Sequence, residues 1–183
     1  MKQVFLSLCV AAALIACNSS DTKTTDNSKM GETKVAAMST NELAYPVKDW
    51  ADWQPGSMEN LKIALQTLKD FERGDVSACV SSFADSVHLS SDGMEGTFTR
   101  DSIQKMFTAD RKTIKAMEIV MDDYESVKSK DGKQEYVSMW YKQKWQDQKG
   151  NWDSLICMDD VKMVNGKIAS LDEKIRHYPK KKM

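Results

Sequence analysis

The spacing of apolar residues changes once along this chain, near residue 115, and that change restricts the architecture more than any motif does. Upstream, Leu61, Ala64, Leu65, Leu68 and Phe71 recur every third or fourth residue, the repeat that lines up one face of a helix. Downstream, Met117–Val127, Gln134–Gln146, Trp152–Val164 and Lys167–His177 alternate apolar and polar residues, as half-buried strands do. Helices first and a strand meander second make an α+β pattern, with the helices covering one face of an antiparallel sheet.

The boundaries carry their own signals. Ser57 is suited to cap the first helix and Gly74 to end it, because a short hydroxyl satisfies free N–H groups and glycine enters the left-handed region at low cost. Asp75 caps a second, short helix that buries Val76, Cys79, Val80 and Phe83. Val87-His88-Leu89 is a brief extended piece leading into a Ser91-Asp92-Gly93 turn. Thr99 starts a third helix carrying Ile103, Met106 and Phe107. The long strands are joined by Asp131-Gly132, Lys149-Gly150-Asn151 and Asn165-Gly166, of which Asn-Gly is the strongest hairpin signal.

The amino-terminal segment has a different character. Lys2 precedes a mostly apolar run from Val4 to Ala16, shorter than the ~20 residues a bilayer-spanning helix needs. It ends in Leu14-Ile15-Ala16-Cys17. This resembles the lipobox of bacterial lipoproteins, in which the cysteine is acylated and the chain is cut just before it. The resemblance implies a signal peptide at 1–16, lipidation of Cys17 and a cell-envelope address. Asn18 resembles an outer-membrane sorting signal, with the chain facing periplasm or exterior. Residues 18–41 are polar and poor in large apolar side chains, so they cannot offset their ordering entropy and should form a tether. The stretch Tyr45–Pro55, with Trp50 and Trp53, reads as an arm packed on the domain. The expected layout is therefore 1–16 signal peptide, 17–56 lipidated cysteine, tether and arm, 57–179 folded domain, and 180–183 basic tail.

Composition excludes several classes. The net charge is −1 with both signs interspersed, so no basic face for nucleic acid is expected. His88 and His177 stand far apart, and the cysteines have no metal-type spacing; neither a metal nor another cofactor is expected. Cys79 and Cys157 are open to two readings: one disulfide closing a long loop, or two small buried hydrophobes.

The order of signals in 57–178 resembles a known superfamily. A helix, Phe71-Glu72-Arg73-Gly74-Asp75, a short helix, Phe83-Ala84-Asp85, Gly96, a third helix, and a meander ending in Val164-Asn165-Gly166-Lys167-Ile168 is similar to the nuclear transport factor 2-like, or SnoaL-like, fold. The resemblance implies a strongly curved, cone-shaped sheet wrapped around the helices, with a pocket at its open end. Members include isomerases, cyclases and dehydratases as well as non-catalytic binding modules. The ketosteroid isomerase set is incomplete in this chain: Ser90-Ser91, with Asp92 beside them, occupy the place of the base, and Leu61–Phe71 lacks a tyrosine.

Asp159 interrupts the apolar face of Leu155, Cys157, Val161 and Met163 at the same period. On an inward face it is a desolvated carboxyl suited to acid–base work; a slipped register would place it in solvent or pair it with Lys142 or Lys144. His88 is its candidate catalytic partner. In Gln134–Gln146, one face carries Val137, Met139, Tyr141, Gln143 and Trp145, the other Tyr136, Ser138, Trp140, Lys142 and Lys144. Both faces carry aromatics, so alternation alone does not choose the inner one; Trp140, Tyr141, Trp145 and Cys157 are the candidate pocket residues. The preferred expectation is a membrane-anchored, non-catalytic module that binds a small apolar ligand or a protein, with a homodimer formed through the sheet. The alternative is a SnoaL-like enzyme of isomerase, cyclase or dehydratase type, moving protons with His88 and Asp159.

Overall fold

The computed structural model describes residues 43–47 and 51–178 and divides the chain into two units, Met1–Ala44 and Tyr45–Met183. Cys17, the tether, Trp50 and Lys180–Lys182 lie outside the described residues. All the elements belong to the second unit.

Helix α1 (Met58–Arg73) begins where the Ser57 hydroxyl accepts from the Glu59 and Asn60 N–H groups. It ends at Gly74, whose φ of 82° costs a glycine little. Helix α2 (Val76–Ser81) is capped by the Asp75 carboxylate accepting from Ala78 N–H, and α3 (Arg100–Thr113) by the Thr99 hydroxyl accepting from Ser102 N–H. Leu61, Ala64, Val76, Cys79, Val80 and Ile103 bury the apolar sides of these helices. Cys79 and Cys157 are free and buried, which resolves the two readings in favour of small core side chains.

Seven strands form one sheet: β1 (Gln54–Pro55), β2 (Phe83–Ser91), β3 (Met94–Thr99), β4 (Ile114–Lys128), β5 (Glu135–Asp147), β6 (Trp152–Val164) and β7 (Lys167–His177), in the order β1-β4-β5-β6-β7-β2-β3. The meander β4 to β7 follows the alternation in the sequence. Its last turn is Asn165-Gly166, both at positive φ (51° and 72°), as a tight hairpin turn requires. The arm is also in place: Gln54 and Pro55 pair with Lys128 and Val127, and Trp53 meets Tyr136 edge-on at 5.7 Å.

Two expectations need correction. Phe83 starts a nine-residue strand instead of ending the second helix, because Ile168 N–H donates to Ser82 O and Phe83 pairs with Ile168. The sheet is mixed, not antiparallel throughout: β2 runs parallel to β7 and antiparallel to β3. Its curvature follows from what shares the interior. Ser91 and Met94, towards the β3 edge, line the same cavity as Ile114 and Met117 on β4, so the two sides of the sheet bend towards each other around the helices.

Candidate functional site

The interior face of the sheet is set by β5 and β6. Val137, Met139 and Tyr141 are buried on β5, and Leu155, Cys157, Asp159, Val161 and Met163 on β6. Between this face and the helices lies a cavity of about 280 Å³, near the small end of the roughly 300–1,000 Å³ usual for ligand sites. Its wall is mainly apolar, including Leu68, Phe71, Phe83, Leu89, Met139 and Val161.

Asp159 stands on that wall and is only 4% exposed. Tyr141, one strand over, donates its hydroxyl to Asp159 Oδ2 at 3.0 Å, while Asp159 Oδ1 has no partner among the described residues. Directly across from Asp159 on β7 is Glu173, which also lines the cavity. Facing residues on neighbouring antiparallel strands hold their Cβ atoms about 4.5–5.5 Å apart, so Asp159 and Glu173 are direct cross-strand neighbours. Burial raises Asp159 well above the ordinary carboxylate range and the Glu173 charge raises it further, against the opposing hydrogen bond from Tyr141. Burial raises Glu173 as well. The Tyr141 hydroxyl is driven above its usual range by burial and then by Asp159, which keeps it a neutral donor. Both carboxyls are shifted towards their protonated forms, so the pair can donate as well as accept.

The neighbouring Asp160 faces the other way, where its carboxylate accepts from Ser138 Oγ at 2.6 Å and Lys174 Nζ at 3.0 Å. Lys144, one of the alternative partners for Asp159, pairs with Glu118 instead. Among the remaining candidates, only Tyr141 lines the cavity with Asp159. Cys157 is fully buried in the core beside it, its thiol pushed up to about 12 chiefly by burial. Trp145 is half-buried against the core, and Trp140 is half-buried on the outer face beside Ser138 and Lys142. His88 does not join the site. It projects outward between buried Val87 and Leu89, with Nδ1 3.4 Å from Thr97 Oγ1 and Nε2 3.8 Å from Glu95. Ser90 and Ser91 do line the cavity.

Glu173 was missed in the sequence for a definite reason. Counting by twos from inward-facing Ile168 puts Ser170, Asp172 and Lys174 inside. The register between β6 and β7 shifts, with Met163 opposite Ile168 but Lys162 opposite Ser170. Ala169 is the extra residue, and it turns Leu171, Glu173 and Ile175 inward. The usable signal was the short alternation Leu171-Asp172-Glu173-Lys174-Ile175 read on its own.

Among the described residues, no group of three His, Cys, Asp or Glu side chains is placed to hold a metal. No helix among them is long and apolar enough to cross a membrane.

No protein-family model matches this chain, and no curated protein matches it. Solved structures share its architecture. AusH from Aspergillus nidulans aligns with a TM-score of 0.55 and 17% identity, over 67% of this chain and 87% of AusH. An NTF2-like protein of unknown function from Burkholderia pseudomallei gives 0.52 and 14%, over 67% and 92%. An LEH-like epoxide hydrolase from M. tuberculosis gives 0.53 and 9%, over 66% and 84%. At these identities the likeness is one of fold, and fold alone does not assign chemistry. The second unit has the nuclear transport factor 2-like fold that its residue pattern resembles.

Proposed function

We propose that this chain is a membrane-anchored extracytoplasmic lipoprotein whose folded domain holds a small, mainly apolar molecule without transforming it. Asp159 carries the binding reading: a side chain 4% exposed, on an apolar wall, with one oxygen unpartnered. A core that existed only to be filled has no use for such a group, because a buried acceptor without a donor is costly. A ligand entering the cavity supplies the missing partner while its body takes up the apolar wall. The anchor rests on the Leu14-Ile15-Ala16-Cys17 motif.

Pyrene, an uncharged fluorescent hydrocarbon, tests the cavity. Titrated into the purified full-length chain, it should bind saturably and report an apolar surrounding. Leu171→Trp, which pushes an indole into the cavity from β7, should weaken that binding at least about tenfold. Absence of saturable binding to the unaltered chain removes the cavity as a ligand site.

The carboxyl pair favours a second reading, acid–base proton transfer on a small hydrophobic substrate, with Glu173 in the place that the sequence offered to His88. The epoxide hydrolase relative lends it little, since that protein shares the fold at 9% identity. Conversion of a bound compound, lost in Asp159→Asn, would select this reading over binding alone.

A further inference from the structure

The charges around the cavity select among head groups. Three acids line it, Asp110 on α3, Asp159 on β6 and Glu173 on β7, and no lysine, arginine or histidine does. Of the two Asp159 oxygens, Oδ2 is taken by the Tyr141 hydroxyl and Oδ1 is buried without a partner. The cation nearest in sequence to the pair is turned away: Lys174 Nζ donates to Asp160 Oδ2 at 3.0 Å and Asp172 Oδ2 at 2.8 Å. Arg111 lies over the Phe71 ring at 5.8 Å and donates to the Glu72 carbonyl, outside the cavity lining. Among the described residues, the cavity therefore presents acidic side chains and no basic one to meet them.

Resting on the cavity reading above, we propose that the ligand is a small apolar amine, whose ammonium group lies between Asp159 and Glu173 and whose hydrocarbon body lies against Phe83, Leu89, Met139 and Val161. An ammonium N–H donates to Asp159 Oδ1, and its charge relieves the repulsion between two facing acids. An alcohol of the same shape supplies a donor without the charge. A carboxylate brings a further negative charge to a site already lined by acids. The groups that face Asp159 and the cavity are Tyr141 from β5, Cys157 beside it on β6, Glu173 from β7, Cys79 from α2 and Asp110 from α3; the one cation felt at Asp159, Lys174, stands outside the lining and is held by Asp160 and Asp172. When the ammonium ion binds, the carboxyl proton passes to solvent and both acids accept from the ligand.

Calorimetric titration of the full-length chain near pH ~7, where a simple alkylamine is cationic as lysine is, provides the test. The probes are cyclohexylmethylamine, cyclohexylmethanol and cyclohexanecarboxylate. The amine should bind at least about tenfold more tightly than the alcohol, with the carboxylate weakest. Asp159→Asn and Glu173→Gln, both nearly isosteric, should each weaken the amine about tenfold or more and leave the alcohol within about twofold. Melting curves identify a variant that does not fold, and the other variant then decides. Equal affinity for amine and alcohol, or an amine affinity unmoved by both substitutions, overturns the amine assignment and leaves the cavity reading intact. Failure of all three probes overturns the amine assignment, and failure of pyrene as well overturns the cavity reading.

Discussion

At the scale of single residues, Asp159 concentrates most of what is unusual in this protein. A carboxyl in the core of a small domain is kept there by the Tyr141 hydroxyl on one oxygen and by its shift towards the protonated form. Its raised pKa makes stability depend on pH in a definite direction. Above about pH 4, where an unfolded carboxyl has released its proton, the folded chain still holds protons on Asp159 and Glu173, so stability falls as pH rises through that window. Asp159→Asn removes the larger part of this dependence. Its melting temperature should be flatter from about pH 4 upward, and above that of the unaltered chain on the alkaline side. An identical slope in the two proteins would locate the ionisation elsewhere. Asp159 was legible in the sequence because the alternation of β6 runs unbroken from Leu155 to Met163; the His88 partnership was not, because its strand turns that ring outward.

At the scale of elements, the irregularity at Ala169 decides what the cavity contains. One extra residue in β7 reverses every side chain after it, and it does so between Ile168, which must meet Met163 in the core, and Glu173, which faces Asp159. Deleting Ala169 leaves Ile168 two positions from Leu171, so strict alternation keeps both on the inner face and Glu173 opposite Asp159. Pyrene binding by the deletion variant should therefore stay within about twofold of that of the unaltered chain. Loss of binding in a folded deletion variant would mean that the irregularity itself, and not only the facing it sets, shapes the cavity. The parallel pairing of β2 with β7 belongs to the same scale. Local alternation around Val87 announced a strand, but nothing within that stretch named a neighbour lying some eighty residues further on.

At the scale of the whole molecule, the proposed address and the pocket rest on separate parts of the chain. The proposed address rests on Cys17. Cys17→Ser should abolish incorporation of labelled palmitate and move the chain from the membrane fraction to the soluble one; persistent labelling would place the acyl group elsewhere. The pocket depends on the sheet closing round the helices, which brings Met94 and Met117 to one hollow from opposite ends of the strand order.

The sequence on its own determined what depends on near neighbours. Helix caps at Ser57, Asp75 and Thr99, the left-handed stop at Gly74, the turn at Asn165-Gly166 and the ends of β6 and β7 all follow from hydrogen bonds and backbone freedom within a few residues. Only the tertiary structure decided which face of β5 looks inward, that β2 joins β7 in parallel, and that Glu173 stands opposite Asp159. Those outcomes are set by pairing between segments distant along the chain, where burying one apolar face outweighs any local preference.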